Sequence, residues 1–284
     1  MARNPWTVFF DVGPIGPDYQ PGHAHADTLT LETSFSGRRL FVDPGTYAYD
    51  DARRRYDRST DAHNTVCIDA RDTSEVWHIF RVGRRAYAHH VSVEFNADGF
   101  TAGAAHDGYA SLPGGPKHAR TVSITNQREL RITDRVDGRG THSLSGGWLL
   151  APGWSAEAAP GGWRVSRDGQ GVSVNVKGPA ETKLGLERRP YHPEYGLEIE
   201  TVRLCWILES SRLPAEIARS SNETGFPHTH SLHLPVLAGT AALALIQPFP
   251  APEPPLYAPG ITPFVPLDGP PIGPNRQGAT YSVA

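Results

Sequence analysis

The sequence predicts an all-β protein, an antiparallel β-sandwich of large stacked sheets that ends in a Pro-rich irregular tail. From Thr28 to about Arg212, short runs alternate apolar and polar residues, as half-buried strands require. Gly, Asp, Asn and Pro separate the runs, and amphipathic stretches of helical length are scarce. Past about Pro235 the alternation stops, and 12 of the 26 prolines crowd into the last fifty residues. The expected division is therefore a β domain over residues 1–234 and a tail over 235–284.

Leu29, Leu31, Thr33 and Phe35 alternate with polar neighbours, Ser36-Gly37 supplies a turn, and Leu40, Phe41 and Val42 return as a second strand. Residues 50–56 carry acidic groups ahead of three arginines and predict the one short helix, because carboxylates favour a helix N-terminus. Strands are expected next at 65–69, 76–81, 86–95, 120–125, 129–136, 146–150, 163–167, 171–176 and 197–208. Asp137-Gly138 and Asp168-Gly169 punctuate them as turns. The apolar run at 236–246 falls short of the roughly 20 residues that span a bilayer.

A hydrophobic fraction of 38% over 284 residues is enough to bury a core. The formal net charge is -3, so no global field attracts nucleic acid or an anionic membrane, and neither is an expected partner. Cys67 and Cys205 are the only cysteines, which excludes a thiolate metal cage and leaves one disulfide open. Residues 1–10 lack the basic start, long apolar stretch and cleavage site of a secretory signal.

The densest set of chemically able residues lies in the first quarter. His23 and His25 project to one face if their backbone is extended, so one imidazole can bind metal while the other works on substrate. Neutral imidazole and carboxylate suit a divalent metal, zinc above all, and His25, Asp43 and His63 make such a set with a position left over. The bland alternative is a hydrogen-bonded histidine pair. Hairpin geometry also resists the set, because a turn at Gly37 pairs Asp43 near Leu31, about 20 Å of strand from His25. Bends at Pro21-Gly22 and Pro44-Gly45 are needed to close that gap. Arg53, Arg54, Arg55 and Arg58 either form a solvated helix face or meet an anionic ligand. The tryptophans in strands, and His106 and His118, are expected to be structural.

The strings GHAHADTLTLE, GRRLFVDPGTYAYDDARRRYDRSTDAHNTVCID and SEVWHIFRVGRRA, in that order, resemble the signature block of the heparinase II/III-like family. HDGY at 106–109 and LPGGPKHARTV at 112–122 extend the resemblance to about Leu213; the tail does not match. The family joins an N-terminal α/α toroid to an antiparallel β-sandwich and cleaves uronate-containing polysaccharides by β-elimination. The resemblance implies that His25, Asp43 and His63 are metal ligands and that His23 is a catalytic histidine at the cleft. It also implies a cleft tyrosine, as in related alginate lyases, either Tyr49 or Tyr56, with Tyr56 preferred. Arg58 and Asn64 are the expected substrate-binding residues, the partner is an anionic uronate polysaccharide, and the compartment is periplasmic or extracellular. The toroid, which supplies further catalytic groups, is not seen in this sequence.

Such a reaction removes the proton at C5 of a uronate and expels the oxygen at C4, so the adjacent carboxylate must be neutralised. A phenol with a pKa near 10 needs cations beside it to act as a base, and the arginines at 53–58 are candidates. The competing expectation is a non-catalytic carbohydrate-binding or accessory domain that keeps the metal site. A metal-dependent hydrolase is a third, weaker alternative.

Overall fold

The computed structural model describes residues 5–96, 99–126, 128–223 and 281–283. The chain divides into two units, Met1–Phe226 with Gly278–Ala284, and Pro227–Gln277. The tail expected at 235–284, with its apolar run, lies outside the described residues apart from 281–283.

In chain order the elements are β1 (Trp6–Phe10), β2 (Leu31–Phe35), β3 (Arg38–Phe41), helix α1 (Asp51–Asp57), a 3-10 turn (Thr60–Ala62), β4 (Val66–Ile68), β5 (Val76–Trp77) and β6 (Arg81–Val82). There follow β7 (Ala88–Asn96), β8 (Gly99–His106), β9 (Lys117–Thr125), β10 (Glu129–Asp137), β11 (Thr141–Leu149), β12 (Ser155–Ala159) and β13 (Gly162–Arg167). The last are β14 (Gln170–Lys177), β15 (Lys183–Glu194), β16 (Leu197–Arg212), β17 (Ala215–Glu223) and β18 (Tyr281–Val283). One eight-stranded sheet has the order β12-β13-β14-β17-β10-β9-β8-β7, and two four-stranded sheets run β18-β1-β2-β3 and β15-β16-β11-β4.

The two smaller sheets continue into one another where Phe41 bridges Leu150. There Val42 N–H donates to Leu149 O and Ala151 N–H to Leu40 O, at 2.9 and 2.8 Å. Strands β8, β9 and β10 bury every second residue, as a sheet with one covered face must. Their inner side chains, among them Phe100, Val122, Ile124 and Ile132, pack with Trp6, Phe35, Phe41 and Trp148 from the smaller sheets in one apolar core. This is the expected β-sandwich.

A buried polar group pins the layers. The Asp134 carboxylate accepts from Arg120 Nε and Nη2 at 2.7 and 3.0 Å, from Arg219 Nη2, and pairs with His118 Nε2 at 2.7 Å. Arg120 Nη1 also donates to Leu29 O and Asn64 O at 2.7 and 2.5 Å, which carries the network from β9 across to the first quarter of the chain. Cys67 and Cys205 are free and lie on β4 and β16, with β11 between them in the sheet.

Helix α1 starts where the acidic residues predict, with Asp50 as the N-cap accepting from Arg53 N–H at 3.0 Å. Its last two turns send two guanidinium groups inward. Arg58 Nε donates to Ala24 O at 2.8 Å, Nη1 to His78 O and Ile79 O at 3.2 and 2.9 Å, and Nη2 to Arg81 O at 3.2 Å. Arg54 donates to Gly22 O and Ile79 O, both at 3.3 Å. One strand expected at 76–81 is thereby a tight hairpin, β5 and β6, whose tip is held by arginines. Burial, then the adjacent Arg54, pushes the Arg58 guanidinium down to about 10, still charged at neutral pH.

Replacing Arg58 by Lys leaves one nitrogen for carbonyls that a planar fork now satisfies. Hydrogen bonds from charged groups contribute about 1.5–3 kcal/mol each, so Arg58→Lys should cost roughly 2–4 kcal/mol in urea unfolding, and a loss under about 0.5 kcal/mol would refute the assignment. A second test concerns His142, which contacts Asp69 Oδ2 at 2.7 Å and Arg139 O at 3.1 Å. Burial opposes its charge, but the Asp69 and Arg139 hydrogen bonds outweigh it and raise the imidazole pKa. The pair's stabilisation is full below the ordinary value of about 6.5 and is lost as pH rises through the raised one. Wild type should thus lose up to about 1 kcal/mol more than His142→Gln between about pH 6 and 9. Superimposable pH profiles would show that the pair contributes nothing.

Candidate functional site

The segment from Pro21 to Thr30 is not a strand. It folds back on itself through Ala24 N–H to Pro21 O and Thr30 N–H to Asp27 O, and it lies against residues 58–60 through Ala26 N–H to Arg58 O and Thr60 Oγ1 to Ala26 O. This bend answers the hairpin objection: Thr33 pairs with Phe41 as the turn dictates, yet His25 is carried back toward the end of β3. After β3 the Asp43 carboxylate caps Gly45 N–H through Oδ1 at 2.9 Å. Gly45 has φ of 77°, and a Cβ there would lie 1.9 Å from His192 O, so the chain passes β15 only as glycine.

His63 stands between His25 and Asp43, in contact with each. His63 is fully buried; its Nδ1–H donates to Ser59 O at 2.7 Å, which leaves Nε2 facing the other groups. That atom lies 3.2 Å from His25 Nδ1 and 3.3 Å from Asp43 Oδ2. His25 Nε2 accepts from Arg54 Nη1 at 2.8 Å, since a guanidinium only donates. Asp27 joins them, for His25, Asp27 and His63 present ligand atoms within 4.8 Å of one another. Desolvation pushes the Asp27 carboxyl up to about 7, with Asp11 and Asp43 adding and His63 opposing. Desolvation, His63 and Arg54 together hold His25 down to about 2, so its imidazole is neutral. Asp11 is also raised by burial. Two imidazoles beside crowded carboxyls form a donor set suited to a cation.

His23 is exposed and its Nδ1 meets Tyr49 Oη at 2.9 Å. The Arg54 guanidinium lies over the Tyr49 ring, 5.2 Å from its centroid. One arginine thus touches both the His25 end and the tyrosine end of the site. Tyr56 stands elsewhere, with its hydroxyl buried, its ring 5.7 Å from the Arg189 guanidinium, and its phenol raised by desolvation.

Arg58 and Asn64, expected at the substrate, are both buried. Arg58 binds the carbonyls described above. Asn64 Nδ2 donates to Leu31 O and Val42 O at 2.9 and 3.0 Å, and Oδ1 accepts from Leu149 N–H at 2.9 Å. The amide therefore staples β2, the end of β3 and β11 together, and presents no free edge to a glycan. Arg53 and Arg55 are the helix arginines that reach the surface, and Arg53 is stacked 3.9 Å over Tyr47 and lies 3.9 Å from Glu198. His192, not singled out by the sequence, is buried between Asp57 Oδ1 at 2.8 Å and Glu198 Oε2 at 3.1 Å. No motif spacing betrays it, because its partners are 135 and 6 residues away.

Comparison with solved structures gives the same architecture. The heparan sulfate lyase HepC from Pedobacter heparinus matches with a TM-score of 0.64 and 20% identity, over 78% of this chain and 34% of that one. A heparinase III gene product matches at 0.62 and 18%, over 79% and 35%, and a crystal structure of heparinase III at 0.63 and 15%, over 78% and 36%. The chain thus spans about a third of the length of these proteins. No curated protein matches it. The model of the family described as heparinase II/III-like, C-terminal, matches residues 1–223, most of the chain, and this chain is a member of that family.

Proposed function

We propose that this chain is the β half of a polysaccharide lyase that eliminates across uronate linkages of an acidic glycan. The observation that carries the reading is the exposed hydrogen bond between His23 and Tyr49, with His23 on the same loop as the half-buried His25 that meets His63. In the reaction a base takes the C5 proton, the C4–C5 double bond forms, and the C4–O bond breaks as its oxygen receives a proton. Tyr49 Oη and His23 Nδ1 are the proposed proton carriers, since each can hold the proton shared between them. Tyr49 replaces Tyr56 in this role because the Tyr56 hydroxyl is buried.

The donor set fits a divalent cation, zinc by ligand type, held by His25, His63 and Asp27, whose ligand atoms lie within 4.8 Å of one another, with Asp43, the carboxylate expected from the sequence, 3.3 Å from His63. His63 fits as it stands. His25 fits in its other tautomer, which makes Nε2 a donor and leaves Arg54 Nη1 with Thr46 Oγ1, 3.1 Å away, as acceptor. Bound there, the cation would offset the clustered carboxyls and stiffen the loop that bears His23. A second reading, an accessory carbohydrate-binding domain, is favoured by one fact: the chain spans only about a third of the lyases it matches. In the lyase reading a helical toroid completes the cleft.

Activity is tested by incubating the protein with heparan sulfate and other uronate polysaccharides while following absorbance of the new double bond. Tyr49→Phe and His23→Ala should each reduce the rate by about 10²- to 10⁴-fold, with Tyr56→Phe near wild type. Binding without unsaturation would favour the accessory reading. For the metal, about one zinc per chain should copurify, and chelation should lower the melting temperature by about 5 °C or more. His63→Ala should abolish both effects; metal-free protein indifferent to zinc would remove the metal from the account.

A further inference from the structure

Two aromatic rings from distant parts of the chain gather beside the His23–Tyr49 pair. Tyr49 packs 5.1 Å from Phe80 and 5.5 Å from Tyr195, and Phe80 lies 6.1 Å from the His23 ring. Tyr195 is 66% and Phe80 49% exposed, so neither ring is anchored in the core. Single exposed aromatics are ordinary on a protein surface, but convergent ones held on rigid supports are not.

Both supports are rigid. Phe80 sits at the tip between β5 and β6, where the flanking carbonyls of Ile79 and Arg81 are bound by Arg54 and Arg58. Tyr195 occupies the two-residue turn between β15 and β16, where Glu194 pairs with Leu197. That turn is tethered by Gly196 N–H to Tyr47 O at 2.7 Å, and Tyr195 Oη accepts from Tyr49 N–H at 3.4 Å. The half-exposed Arg53 guanidinium stands near the same turn, 3.9 Å from Glu198.

We infer that Tyr195 and Phe80 form a sugar-binding subsite flanking the proton-transfer pair, stacking on pyranose faces while Arg53 receives a uronate carboxylate. The inference rests on the uronate-lyase reading and deepens it by naming the groups that position the sugar. Apolar pyranose faces stack on exposed aromatic rings, and rings fixed before binding lose little entropy when a sugar arrives. A guanidinium adds recognition of a planar carboxylate. Tyr195 and Phe80 are positioning residues here; neither is asked to move a proton.

The test is calorimetric titration of the whole chain with a heparan sulfate hexasaccharide and, separately, cellohexaose as a neutral glycan. Tyr195→Ala and Phe80→Ala should each weaken hexasaccharide binding by about 10-fold or more, as loss of an aromatic anchor does. Tyr195→Phe keeps the stacking ring and should bind within about 2-fold of wild type. Arg53→Gln should lower affinity for the acidic glycan while leaving the neutral one unchanged. Unaltered thermal unfolding of each variant verifies that the exposed substitutions leave the fold intact. If wild type binds the hexasaccharide and both alanine variants bind it equally well, the subsite is refuted and the uronate reading stands. If wild type binds neither glycan, the subsite is refuted as well, and the double-bond assay decides the lyase reading independently.

Discussion

The site depends on two buried guanidinium groups reaching inward from a helix of seven residues. The loop that bears His23 and His25 has no strand partners, so its backbone carbonyls need donors from elsewhere. Arg54 and Arg58 supply them at Gly22 and Ala24, and on their other side they bind the tip of the β5–β6 hairpin. A planar fork can serve several carbonyls at fixed angles, which a flexible ammonium cannot. Two irregular segments thereby become as fixed as strands. A helix this short has little stability of its own, so the dependence is mutual.

A second polar centre makes the site continuous with the core. The Asp134 carboxylate accepts from both Arg120 and Arg219 inside the eight-stranded sheet, while Arg120 reaches across to Leu29 O and Asn64 O. Asn64 in turn joins β2, the end of β3 and β11. His106 continues the chain: its Nδ1 accepts from Gly108 N–H at 3.1 Å and its Nε2 meets His118 Nδ1 at 3.0 Å. Burial pushes both imidazoles well below their ordinary pKa, so they stay neutral hydrogen-bonding groups. Such a network, fully satisfied, fixes how one layer sits on the other; half satisfied, it would be costly.

Much of the fold was legible because strand alternation is a local signal. The hairpin of β2 and β3, the strands β9, β10, β13, β14 and β16, and the helix cap at Asp50 all follow from residues within a few positions. The unforeseen strands have physical excuses. β8 reads GFTAGAAH, so small side chains hide its alternation, although every second residue is buried. β15 contains Pro190 and Pro193 and is tolerated at a sheet edge, where one side needs no ladder. β12 reads SAEAA, an edge strand with no buried residue to mark it, whereas β1 and β17 are recruited by strands farther away in sequence.

The sequence by itself determined the sandwich class, the clustering of imidazoles and carboxylates in the first quarter, and the family to which those motifs belong. Only the tertiary structure decided what each group does. Tyr49 and Tyr56 are equivalent in the string YAYDDARRRY, yet one hydroxyl reaches His23 and the other is buried. Arg53, Arg54 and Arg58 share one helix turn or the next, but the helical twist sends one to the surface and two inward. Side-chain type is a property of the chain, whereas exposure and partner are set by packing between segments more than a hundred residues apart, such as Tyr49 and Tyr195. Packing at that range decided which of the first-quarter residues face solvent and which hold the loop in place.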